Sequence, residues 1–175
     1  MNAREWTGFD PQQASRISLS PPSGPVGADV ILRLSGLPPG MTWEIGFGSF
    51  QEHQILAREQ SDRDGNLTRT LQIPTFARRD EKHYFFVAIP DRPPLATSNA
   101  FYVTGPDGVL RIEGVIAEEV AGCSALRAGN GDLFTLVGTN VELAPGRRVL
   151  VEGSVAEFSV CGQGMTLEVR RITPR

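Results

Sequence analysis

The sequence predicts an all-β chain of two small domains, a β-sandwich followed by a small closed barrel. Three observations predict it. Apolar and polar residues alternate over many short runs, the period of half-buried strands. The chain's 19 glycines and 13 prolines, in 175 residues, are spread along it and punctuate those runs. No stretch sustains a helical period. The clearest break, Gly105-Pro-Asp-Gly108, makes residues 105–108 a linker between a sandwich at 16–104 and a barrel at 109–175. Residues 1–15 form a polar leader segment carrying Trp6 and Phe9.

Composition sets bounds. At 40% hydrophobic and 21% charged residues the chain is ordinary globular protein. A net charge of −3, with neither half strongly basic, argues against affinity drawn from phosphate contacts. No apolar run approaches the roughly 20 residues of a membrane span, so no transmembrane segment is expected. Residues 1–15 include Arg4, Glu5 and Asp10 and lack the apolar core of a signal peptide. The protein is then either cytosolic, or exported by a leader absent from this chain.

The first domain opens on two strands, 17–20 and 30–34. Ile17 and Leu19 alternate with Ser18 and Ser20, and Val30, Leu32 and Leu34 resume the alternation. Between them Pro21, Pro22, Gly24, Pro25 and Gly27 predict a stiff, shaped loop. In the third strand, 42–48, Trp43, Ile45 and Phe47 share a face, and Trp43 reads as a core tryptophan rather than a stacking platform. Residues 54–57 suit a short edge strand. Asp62, Asp64 and Gly65 invite a calcium reading, but the closing glutamate of such a loop is missing, and an Asp-Gly turn is expected. Residues 67–73 form a strand closed by Pro74.

The strand at 83–89 is apolar on both sides. Tyr84, Phe86 and Ala88 face one way; Phe85, Val87 and Ile89 face the other. One wet face is the norm, so this strand needs a cover: the Trp6/Phe9 leader, the second domain, or another chain. Phe85, Val87 and Ile89 are therefore the candidate interaction surface, for an oligomer or a domain contact. Residues 100–104 complete the half.

Residues 16–104 resemble the IPT/TIG-type immunoglobulin-like domains of bacterial surface and secreted proteins. The resemblance rests on Leu19-Ser-Pro-Pro-Ser-Gly-Pro-Val-Gly27, Ser35-Gly36, Phe47-Gly48, Asp62-Arg-Asp-Gly-Asn-Leu67, Ile73-Pro74 and Thr97-Ser-Asn-Ala-Phe101. It implies an Ig-like sandwich acting as a spacer, adhesion or interaction module, with no catalytic residues to carry over.

In the second half, strands are expected at 110–117, 133–137, 148–153, 155–160 and 165–172, and a turn region at 123–132. In the first, Leu110, Ile112 and Gly114 oppose Arg111, Glu113 and Val115. Five short strands suit a small closed barrel. The runs Glu113 to Val115, Cys123 to Leu126, Gly131 to Leu136, Leu143 to Gly153, Ser159 to Cys161 and Leu167 to Val169 resemble an OB-type barrel of uncharacterised exported bacterial proteins. OB barrels often bind oligonucleotides through aromatic and basic side chains. Here the aromatics are Phe134 and Phe158, and from residue 105 onward nine acidic residues outnumber seven basic ones, so nucleic acid is not an expected partner. Phe134, at the barrel mouth, is the candidate ligand surface for a small molecule or glycan.

Cys123 and Cys161 are the two cysteines. With His53 and His83 far away they give no zinc spacing, and no metal or other cofactor is expected. A free thiol pair and a structural disulfide are both open. The disulfide is favoured, because a barrel this small gains from a staple. It would point to an oxidising compartment, periplasmic or extracellular. No nucleophile elbow, P-loop or zinc-protease motif is present, His53 and His83 read as surface or strand-end residues, and no enzyme is expected. The sequence thus supports a non-enzymatic exported module of the bacterial envelope or secreted space, its partner a protein or glycan. The alternative is a small-ligand or glycan binder using the barrel.

Overall fold

The structure, a computed structural model, describes residues 17–49, 51–138, 143–159, 161–162 and 164–175. All its regular elements are strands, and the chain divides into two compact units between Val103 and Thr104. That break lies one residue before the expected linker. The leader with Trp6 and Phe9 lies outside the described residues.

The first unit carries nine strands: β1 (Ile17–Ser20), β2 (Ser23–Pro25), β3 (Asp29–Leu34), β4 (Thr42–Gly48), β5 (His53–Gln60), β6 (Leu67–Gln72), β7 (Lys82–Ala88), β8 (Pro94–Thr97) and β9 (Phe101–Thr104). They form a three-stranded sheet, β1-β3-β6, and a six-stranded one, β2-β9-β7-β4-β5 with β8 also on β7. Both sheets feed one apolar core, with Val30, Leu32 and Leu67 from the first and Trp43, Ile45, Phe47, Phe85 and Val87 from the second. The aromatic centre is tightly keyed. Phe47 lies 4.7 Å from Phe85 between ring centroids, and Phe85 meets Phe101 edge-on at 5.4 Å.

Trp43 is a core residue, as expected. It is 1% exposed, and its Nε1 donates to Ser61 Oγ at 3.2 Å. Ser61 Oγ also accepts from the Met41 amide and donates to the Pro38 carbonyl at 2.6 Å. One hydroxyl therefore satisfies the indole and pins the loop before β4. The Asp62 cluster is the expected turn: Asp62 Oδ1 accepts from the amides of Asp64 and Asn66, at 2.9 and 2.8 Å.

The second unit is a closed five-stranded barrel: β10 (Leu110–Val120), β11 (Cys123–Ala128), β12 (Leu133–Val137), β13 (Arg148–Val155) and β14 (Met165–Pro174). Around it the order is β10-β11-β12-β14-β13, and β12 pairs with β14 in parallel while the other pairs are antiparallel. Leu110, Ile112, Ile116, Leu126, Phe134, Val151 and Leu167 are buried within this unit. Strand β10 closes the barrel by serving two neighbours. It pairs with β13 through 110–115 and with β11 from Gly114 onward. Gly114 sits where one partner gives way to the other, and a Cβ there would collide with the Arg127 carbonyl of β11.

Several boundaries differ from expectation. Residues 123–128, predicted as turn, are strand β11: Ala125 and Leu126 are fully buried between β10 and β12, and small side chains mask their period. Residues 155–160 are not a strand. Strand β13 runs on to Val155, and Glu157, Phe158 and Ser159 are exposed in the loop that follows, with Val160 outside the described residues. The 21–27 loop contains β2. Strand β8 was hidden by Pro93 and Pro94; proline is tolerated at a strand's first position, where Pro94 stands. The short edge strand expected at 54–57 is the eight-residue β5.

Candidate functional site

The outer face of the barrel at β10, β11 and β13 carries an open recess of about 640 Å³. Its geometry follows from register. Ile112, Gly114 and Ile116 alternate inward along β10, so Glu113 and Val115 point outward. Val115 pairs with Arg127 on β11 and with Arg148 on β13. Cross-strand partners face the same way, and neighbouring strands lie about 4.8 Å apart. The two arginine backbones therefore flank Val115 roughly 10 Å from each other. Val115 remains 38% exposed, a large apolar side chain between two cations.

Arg127 and Arg148 are both exposed. Arg127 Nη1 donates to the Gly131 carbonyl at 3.0 Å, which orients its guanidinium. Neither arginine forms an ion pair among the described residues. This contrasts with Arg111, two rows away, which bonds Asp107 and Glu152, each at 3.0 Å. Among the described lining residues Glu113 supplies the one carboxylate, and Ala117, outward like Val115, supplies apolar wall. The described lining thus offers guanidinium, carboxylate and apolar groups.

The adjoining part of the outer face is closed. The expected disulfide is present: Cys123, at the start of β11, is bonded to Cys161, in the loop after β13. That loop is also hydrogen-bonded to the barrel. Ser159 Oγ accepts from Thr166 Oγ1 and from the Cys161 amide, and Thr166 Oγ1 lies 2.8 Å from Thr135 Oγ1. Thr135 and Thr166 are buried, and so is Ala125, which pairs with Thr135. Phe158, in the same loop, is 83% exposed.

The other predicted site residues fall elsewhere. Phe85 and Val87 are fully buried in the first unit's core, filling the space between its two sheets; only Ile89 of that trio is exposed, at 36%. They present no interaction surface, because the face expected to need an external cover is the one turned to the core. Phe134 is likewise fully buried, pairing with Leu126 on the inward side of β12, and lines no mouth. Sequence reasoning missed Arg127 and Arg148. The signal was Val115, an apolar residue on an otherwise polar face.

The first unit has its own cleft of about 450 Å³, lined by Glu52, Phe76, Arg78, Glu81 and His83 among others. His83 stands at the expected strand end but is buried, not on the surface. Its Nε2 accepts from the Arg78 amide at 3.3 Å, so the proton sits on Nδ1, which donates to the Glu81 carbonyl at 3.2 Å. The ring stacks on Phe47 at 5.1 Å. Desolvation holds its pKa below the ordinary 6.5, against the raising influence of Glu81. Both nitrogens are engaged, which makes His83 a packed structural histidine.

Together these features define an all-β, disulfide-bonded protein of two units with a cationic-apolar recess on its barrel. No family model matches the chain, and no curated protein matches it. Among solved structures, macromomycin is similar over 73% of this chain and 97% of its own, at 17% identity and a TM-score of 0.31. A likeness of that size carries no argument. No helix among the described residues is long and apolar enough to cross a membrane.

Proposed function

We propose that the protein is a non-enzymatic binding protein of an oxidising, extracytoplasmic compartment, which holds a small ligand on the outer face of its barrel. The observation that carries this reading is the recess around Val115, lined by two arginines that form no ion pair among the described residues and by exposed apolar surface. Binding sites of this kind are concave, mostly apolar and equipped with a few placed polar groups. The disulfide supports export, since such bonds persist where thiols are not kept reduced.

The fold supports the finer reading of each unit. Two sheets around one core, with the turn at Asp62, favour an Ig-like sandwich of the IPT/TIG type for the first. The order β10-β11-β12-β14-β13 with one parallel pair favours an OB-like barrel for the second. OB barrels present the second and third strands to oligonucleotides. Here the disulfide-bonded loop lies at that face and leaves Ala125 and Thr135 buried, which argues against nucleic acid.

A second reading, an interaction module for a protein or glycan partner, is favoured by Phe158. A large solvent-exposed aromatic is the kind of side chain that anchors interfaces. Methyl-resolved NMR of the full chain separates the two. Titration with short alcohols and carboxylates is expected to shift the Val115 and Ala117 methyls. If none of these probes moves either methyl at millimolar concentration, the barrel-ligand reading is overturned.

A further inference from the structure

Granting a ligand site on the barrel, the lining chemistry specifies what it holds. We infer that the recess around Val115 binds a small monoanion, a carboxylate carried on an apolar body, with Arg127 and Arg148 gripping the carboxylate from either side. This deepens the proposed function and rests on it.

The argument starts from charge. Among the described residues the recess is lined by two arginines and one glutamate, a net charge of +1. A monoanion neutralises it. A dianion such as a phosphate monoester would leave net negative charge beside Glu113, with its second charge unmatched. Geometry agrees. Arg127 and Arg148 stand on strands either side of β10, in register with Val115. Their planar forks can each present paired donors to one carboxylate, the arrangement in which arginine is strongest. The Arg127–Gly131 bond holds one fork in place before any ligand arrives, which lowers the ordering cost of binding.

The apolar body follows from the rest of the wall. Val115 and Ala117 lie beside the arginines on the outward face and offer no hydrogen-bonding side chain. A sugar would leave its hydroxyls without partners there, and unsatisfied polar groups at a dry contact are costly. A hydrocarbon chain or ring removes its own surface and that of Val115 from water together.

The test uses three probes on the full oxidised chain: octanoate, octanol and inorganic phosphate. Octanoate is expected to shift the Val115 methyls saturably and to bind more weakly as salt rises. Arg127→Gln and Arg148→Gln are each expected to weaken octanoate binding about tenfold, the loss of one charge-assisted contact. Arg148→Lys, which keeps the charge but not the fork, should recover part of it. Arg63→Gln, in the Asp62 turn of the other unit, should have no effect. Unchanged signals from the barrel's own buried methyls, Leu126, Val151 and Leu167, show that each variant is folded.

If octanol shifts the same methyls as strongly as octanoate, and the arginine variants change nothing, the anion inference is overturned while the ligand site stands. If phosphate competes as well as octanoate, the apolar-body inference is overturned. If neither octanoate nor octanol moves Val115, the ligand site falls with the inference.

Discussion

His83 shows how one residue's packing becomes a pH dependence of the whole unit. The neutral ring accepts one hydrogen bond and donates another, while stacking on Phe47. Burial holds its folded-state pKa below 6.5, so between the two values the unfolded chain binds more protons than the folded one. Stability from this residue is therefore complete above about pH 6.5 and is lost as pH falls through the folded pKa. Glu52, Glu81 and Arg78 face the same cleft. Urea denaturation of the wild type is expected to show lower stability at pH 5 than at pH 7.5. His83→Gln should flatten that difference. Equal pH dependence in both would show that His83 does not carry it. Other single residues were readable in advance: Trp43 as core and Asp62 as a turn, because each depends on local pattern. Phe85 was misjudged because a strand apolar on both sides does not say which side meets the core. The burial of Phe134 was missed for the same reason.

At the scale of elements, β10 shows what alternation alone conveys. Its inward and outward faces were legible, down to Val115 standing with Arg111 and Glu113. Its two partners were not, since pairing is set by residues far away in the chain. Strand β11 escaped because Ser124, Ala125 and Ala128 have little contrast with a turn, and only burial between two neighbours makes them a strand. The recess depends on register across three strands, so no single stretch announces it. Gly114 is the point of greatest demand in β10. Gly114→Ala would force a methyl against the Arg127 carbonyl in a closed barrel. The expected cost is about 1–3 kcal/mol, the range for overpacking. Hydrogen exchange of β10 and β11 amides is the measurement, and unchanged protection there would show that β10 yields more easily than its pairing suggests.

For the molecule as a whole, two compact all-β units and the Cys123–Cys161 bond were legible from composition, punctuation and cysteine count. The assignment of each strand to a sheet was not. The bond closes a span of 38 residues that includes all of β11, β12 and β13. Cross-linking a loop of that length is worth about 3–4 kcal/mol on the chain-entropy model. The double variant Cys123→Ala/Cys161→Ala is therefore expected to lose stability in the barrel by about that amount. Its barrel amides should exchange faster under native conditions, with the amides of β3 and β4 as internal reference. A barrel as protected as the wild type would mean that the hydroxyl bonds among Ser159, Thr135 and Thr166 hold the loop unaided.

The parallel pairing of β12 with β14 has a consequence for how the chain is made. Strand β14 comes last in sequence but sits between β12 and β13 in space. While the polypeptide is being synthesised or threaded through a translocation channel, every strand of the first unit emerges before the barrel's final stave. The first unit's strands can pair as they appear. The barrel must wait, with β12 and β13 each exposing an edge, until Met165 to Pro174 arrive to fill the gap. Both cysteines emerge before that stave, so an oxidising environment can tie the open barrel together while it waits.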